Sequence, residues 1–133
     1  MQIFKKEDMR KVIDFFTANI YRYFYDIDFE FCLAYIKSPD EEHRKVIASI
    51  LRKTDCVFEL NSGIIILFSG TSKEKTQILS NEIYDFLNTK ARDCVAFYPY
   101  DGDNFDDLMI RLNNLTTKNY KVNILDESNQ AHN

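Results

Sequence analysis

Tryptophan is absent from this 133-residue chain, and so is any apolar run of membrane-spanning length. The longest run, Gly63 to Phe68, is only strand-sized, which excludes a transmembrane helix and predicts no membrane insertion. An excess of basic residues is also missing. Lys and Arg number 17 against 21 Asp and Glu, and the net charge of −4 argues against a general electrostatic grip on DNA or RNA. The opening "MQIFKKEDMRK" mixes charges of both signs and has no apolar signal region. Cysteine is scarce and odd in number. Cys32, Cys56 and Cys94 lack metal-type spacing and sit among apolar neighbours, as buried small side chains of a reducing compartment do. These absences together predict a cytoplasmic protein.

What is present is an ordinary globular balance, with 45% hydrophobic and 29% charged residues in one domain's length of chain. Eleven Phe and eight Tyr point to a core built from large rings. A helix is predicted from about Lys5 to Tyr25, because Met9, Val12, Ile13, Phe16, Ile20, Tyr23 and Phe24 recur at three- and four-residue intervals. Phe15 widens that stripe, which suits packing at home or on a partner helix. "FEFCLAYIK" (Phe29 to Lys37) reads as a mostly apolar strand. Ser38, Pro39 and Glu41 then form a helix start with a capping box, and Val46, Ile47, Ile50 and Leu51 face inward up to about Lys53.

The stretch Leu51 to Phe68 reads as a helix end, a strand, a turn at Asn61-Ser62-Gly63 and a second, wholly apolar strand. No charged residue occurs from Leu60 to Ser72, so nothing at the tip can act as acid, base or metal ligand. A third helix starts at Thr71-Ser72, with Glu74 offering a capping box, and runs to about Asn88 through Ile78, Leu79, Ile83, Phe86 and Leu87. "DCVAFY" (Asp93 to Tyr98) is a strand, "PYDGDN" a turn-rich loop, and Phe105 to Leu115 a fourth helix. "YKVNIL" (Tyr120 to Leu125) is predicted as a last strand before a loose polar tail. The division is an amino-terminal amphipathic helix (1–25), a domain (26–126) and a tail (127–133). The order of elements predicts an α+β fold with a ferredoxin-like βαββαβ core and helices on one face of its sheet.

Two segments carry a resemblance. "CVAFYPYDGDNFDDLM" (Cys94 to Met109) resembles the strand, Tyr-Pro-x-Asp-Gly loop and helix start near the end of GGDEF domains, the diguanylate cyclases of bacteria. "RKTDCVFELNSGIIILF" (Arg52 to Phe68) resembles the segment around their signature hairpin, with Asn61-Ser62-Gly63-Ile64-Ile65 in the place of Gly-Gly-Asp-Glu-Phe. The resemblance covers about Phe29 to Leu115 and implies a core of the nucleotidyl cyclase type. In that family one acidic residue at the end of the first strand and another at the third signature position hold the metal ions. Here those places hold Tyr35-Ile36-Lys37 and Gly63. Phosphoryl transfer rests on positioned metal and charge stabilisation, so the resemblance implies a relative that is not an enzyme and needs no cofactor. "DIDF" (Asp26 to Phe29) has the look of the family's Asp-x-Asp but precedes the first strand, where it serves turn and strand entry.

Arg52 lies nine positions before Asn61 and matches the family's Arg-x-x-Asp, at which cyclic di-GMP binds and inhibits. A guanidinium can grip guanine or phosphate in a bidentate way and Asp55 can accept from the guanine edge, whereas the plain structural alternative is a helix end and a turn. His43 on a polar helix face, His132 in the tail and Lys73 after "SGTS" complete no catalytic pattern. The expected function is a catalytically inactive GGDEF-like domain acting as a regulatory protein-interaction module in bacterial signalling. Its partner would be another protein or itself, as a homodimer through the amino-terminal helix. The family's sensory or output domain has no room in 133 residues, so the signal would pass in trans. The alternative is a cyclic di-GMP receptor using Arg52 and Asp55.

Overall fold

The structure is a computed structural model that describes residues 2–24, 29–37, 40–87 and 94–128. Its centre is a five-stranded mixed sheet made by β1 (Gln2–Lys5), β2 (Phe31–Ile36), β3 (Cys56–Glu59), β4 (Ile64–Ser69) and β5 (Val95–Tyr98), in the order β1-β3-β4-β2-β5. β1 runs parallel to β3, and every other neighbouring pair is antiparallel. The helices are α1 (Met9–Phe24), α2 (Glu41–Ile50), α3 (Lys73–Phe86), α4 (Phe105–Tyr120) and the short α5 (Ile124–Ser128).

Both faces of the sheet are covered. Met9, Ile13 and Ile20 of α1, Leu108, Met109 and Leu112 of α4 and Ile124 of α5 bury Phe31, Leu33, Tyr35, Ile65 and Leu67. Ile47 of α2 and Ile83, Tyr84 and Leu87 of the α3 segment bury Cys32, Ala34, Ile36, Ile64, Ile66 and Phe68. The strict alternation between the two sets is the period of two of a pleated strand. It also explains the unbroken apolar runs of β2 and β4: each residue meets a helix layer, whichever way it points. The one-sided helix layer expected from the element order is therefore corrected. Large rings do build this core: Phe31 stacks on Tyr98 at 4.6 Å and meets Phe16 edge-on at 5.1 Å.

The amino terminus also departs from expectation. Gln2–Lys5 is a strand and Lys6–Asp8 a 3₁₀ turn, so α1 starts only at Met9. "QIFK" enters the sheet because Phe4 stacks on Phe58 of β3, with ring centroids 5.7 Å apart. The apolar stripe of α1 is spent on its own sheet, while Phe15 and Tyr21 stay in solvent.

α2 is capped by Asp40, whose side chain accepts from the Glu42 amide at 2.8 Å. Ser38 and Pro39, the expected start, lie outside the described residues, and the helix ends at Ile50 rather than Lys53, with Ile50 exposed. In α3, Ser72 is the cap and accepts from the Lys75 amide, whereas Thr71 is buried and serves elsewhere. Ile78 and Phe86, expected inward, are exposed, and Thr76 and Ser80 occupy the buried side instead.

The predicted strand at 120–125 does not form. α4 continues to Tyr120 because Leu115 and Thr116 extend its buried face, and Lys121 closes it in a left-handed conformation (φ 57°). The Val122 amide then donates to the Thr116 carbonyl and the Thr116 hydroxyl to the Val122 carbonyl, a helix-ending knot before α5. No helix among the described residues is long and apolar enough to cross a membrane.

Candidate functional site

The hairpin tip and the end of β2 form the first place to look. β3 and β4 pair up to Glu59 and Ile64, and the chain reverses over Asn61-Ser62 with the Leu60 amide donating to the Gly63 carbonyl at 2.9 Å. The tip is held to the first core strand by the Tyr35 hydroxyl, which donates to the Ser62 hydroxyl at 2.8 Å. Gly63 lies flat against the end of β2. A Cβ built on it would overlap the Ile36 carbonyl oxygen and sit 3.1 Å from the Lys37 Cα. Backbone thus fills the space that an acidic side chain at this position would need.

Ile36 is buried, and the Lys37 ammonium lies 5.9 Å from the centre of the Tyr120 ring. Glu59, the carboxylate on the hairpin, takes a 2.8 Å ion pair from Arg44 of α2. Behind the tip runs a chain of phenols: Tyr120 donates to Tyr84 at 2.8 Å, and Tyr84 donates to the Tyr35 carbonyl at 3.1 Å. Burial, reinforced by the bond from Tyr120, pushes the Tyr84 phenol well above its ordinary range, so it is a fixed neutral donor. Among the described residues, no group of three or more His, Cys, Asp or Glu side chains is placed to hold a metal ion. Asp26 and Asp28 lie outside the described residues, as does His132.

Arg52 and Asp55 lie at the opposite end of the sheet, and the structure brings them together. Asp55 is fully buried. Its Oδ1 accepts from Arg52 Nη2 (3.0 Å) and the Ser69 amide (3.2 Å), and its Oδ2 from the Arg52 amide (2.9 Å) and Arg52 Nε (3.3 Å). Arg52 Nη2 also donates to the Ser69 carbonyl and the Thr71 hydroxyl, both at 2.7 Å. The pair ties the α2–β3 connection to the β4–α3 corner. Half of the Arg52 side chain still faces solvent.

The Tyr98-Pro99-Tyr100-Asp101-Gly102 loop is a structural corner. Its Tyr98–Pro99 peptide is cis. Asp101 closes on β5 twice, accepting from the Phe97 amide at 2.9 Å and donating its own amide to the Phe97 carbonyl at 2.7 Å. Gly102 must lack a Cβ because one would crowd Asp107, whose amide donates to the α4 cap Asn104 at 2.9 Å. His43 is half-buried with its ring 6.2 Å from Phe86, and Lys73 lies 5.0 Å over the Phe97 ring.

The three cysteines carry free thiols. Cys32 and Cys94 are buried and Cys56 is half-buried at the start of β3. Sequence reasoning missed the Tyr35-Tyr84-Tyr120 chain and the Asp101 clasp, since no spacing rule links side chains from different elements. No family model matches this sequence, and no curated protein matches it.

Proposed function

We propose that the chain is a catalytically inactive GGDEF-like domain that acts as a regulatory protein-interaction module in bacterial signalling. The element order from β2 to β5 is strand, helix, two strands, helix, strand, and the sheet order β3-β4-β2-β5 is antiparallel throughout. That arrangement supports a ferredoxin-like core of the nucleotidyl cyclase type. The observation that carries the non-catalytic reading is Gly63 packed on the Ile36 carbonyl. A side chain at this position would overlap backbone, which supports a tip that carries no acid for the metal-bridged phosphoryl transfer of the family.

Such a domain acts by contact. Its partner is another protein or a second copy. The second reading is a cyclic di-GMP receptor at Arg52 and Asp55, favoured by the half-exposed Arg52 guanidinium and weakened by the four bonds that already occupy Asp55.

Incubation with GTP and Mg²⁺ or Mn²⁺ should yield no cyclic dinucleotide, and the tagged chain should recover one defined protein, or itself, in stoichiometric amount. GTP turnover, or a monomer that recovers nothing, contradicts the proposal. Calorimetric binding of cyclic di-GMP that disappears in Arg52→Ala would establish the second reading instead.

A further inference from the structure

The two edges of the sheet are treated differently. On β5, the Phe97 amide and carbonyl are both taken by Asp101, so its own loop closes the Phe97 end of that edge. On β1, no described backbone group bonds to the side away from β3. Ile3 of β1 is 58% exposed although it belongs to the sheet, and it borders a shallow recess of about 30 Å³ formed with Ile47, Val57 and Ile64. One strand repeat further, about 6.8 Å along and on the same face, Lys5 opens a second cleft of about 410 Å³. Lys5, Lys6 and Arg44 line it with the Asn61 amide, against the two carboxylates Glu7 and Glu59. Glu59 takes an ion pair from Arg44. In a protein of net charge −4, the cleft has three cationic side chains against two carboxylates, beside an apolar notch.

We propose that β1 is a docking edge for an extended segment of another protein, in which an apolar and an acidic residue alternate with one residue between them. The segment adds a strand outside β1. Its backbone pairs with the open edge, its apolar side chain covers Ile3, and its carboxylate enters the cleft at Lys5. Lys5 sets the choice of partner. A lysine on an open edge disfavours strands that would desolvate its charge unpaired, repels basic ones, and favours one that brings a carboxylate. A second copy fits poorly, since Lys5 is the charged residue of β1 and brings the wrong sign to the cleft. This inference rests on the protein-contact reading given above and names the surface and the chemistry of the partner.

The test uses the full ¹⁵N-labelled chain and two blocked peptides, threonine-valine-threonine-glutamate-threonine-valine and the same peptide with lysine for glutamate. At about 1 mM, within the range of weak strand addition, the glutamate peptide should shift the amides of Ile3, Phe4 and Lys5. The lysine peptide should bind at least about tenfold more weakly, the size of one close charge pair. Exposed Lys5→Glu should reverse that preference without affecting the fold. Equal binding of both peptides, no binding of either, or shifts centred on β5 would overturn the assignment. So would a dimer of the free chain that Ile3→Asp converts to monomer, because a second copy would then own the edge. GTP turnover is measured without peptide, so it fails or passes independently of the charge preference.

Discussion

Gly63 rests against the carbonyl oxygen of Ile36, and this contact joins the hairpin tip to the end of the first core strand. Replacing it with an acid, Gly63→Asp, should destabilise the protein by about 2–4 kcal/mol through overlap and backbone displacement. The midpoint of urea unfolding measures this, with the slope unchanged. A variant as stable as the parent would show that the tip has room for a ligand side chain.

The Arg52–Asp55 pair should behave as a structural clamp. Asp55→Ala strands the Ser69 and Arg52 amides in a buried corner and should cost about 2–4 kcal/mol. Arg52→Ala should cost about 1–2 kcal/mol, since water reaches the half-exposed site. Denaturant titration of both variants checks the order. If Arg52→Ala left stability untouched while abolishing cyclic di-GMP binding, the clamp would instead be a receptor site.

Tyr84 should act through its hydroxyl. Tyr84→Phe removes a donor to the Tyr35 carbonyl and the acceptor of Tyr120, for an expected loss of about 1–2 kcal/mol. Tyr120→Phe should cost less, and the double variant should lose less than the sum, because the two share one bond. Additive losses would mean that the phenols act independently.

Alkaline pH should weaken the fold in a defined window. Burial pushes the Cys32 thiol from its ordinary 9.0 up to about 11, and Tyr84 is raised above 10.0 for the same reason. Both groups are neutral in either state below about pH 8. Above it the unfolded chain releases the thiol proton first, so stability begins to fall near pH 8 and falls most steeply between about pH 9 and pH 11, by about 1.4 kcal/mol per pH unit for each such group at most. Tyr84 extends the fall above pH 10. Cys56, raised by burial and by neighbouring Asp55, adds to it. Unfolding midpoints at pH 8, 9 and 10 should drop for the parent and drop less for Cys32→Ala. A flat profile would contradict the buried thiol.

Much of the fold was legible where one local rule decided the outcome. The tip at Asn61-Ser62-Gly63 and the apolar strands β2 and β4 follow from turn chemistry and continuous hydrophobicity, and the α4 start follows from the turn-rich loop before it. Errors arose where tertiary packing overruled the pattern. β1 holds two apolar residues and is a strand because Phe58 receives Phe4, a contact between distant segments. α3 buries Ile83 and Leu87 of its apolar series but turns Ile78 and Phe86 to solvent and buries Thr76 and Ser80, so counting apolar residues placed only part of the buried face. Residues 121–125 have strand-like composition, but Thr116 binds Val122 back onto the end of α4. At the candidate site the lack of charge at the hairpin tip could be read directly. The β2 carbonyl occupying the side-chain space at Gly63 could not, because it depends on the register between strands far apart in sequence.

Manganese titration into ¹⁵N-labelled protein with GTP present tests the central claim most directly. Bound Mn²⁺ broadens amide signals around its ligands, and no selective broadening should occur at Ile36, Lys37, Ser62 or Gly63 up to millimolar metal. Saturable loss of those four signals would place a cation between the first core strand and the hairpin, and would contradict the reading of this domain as one that works by contact alone.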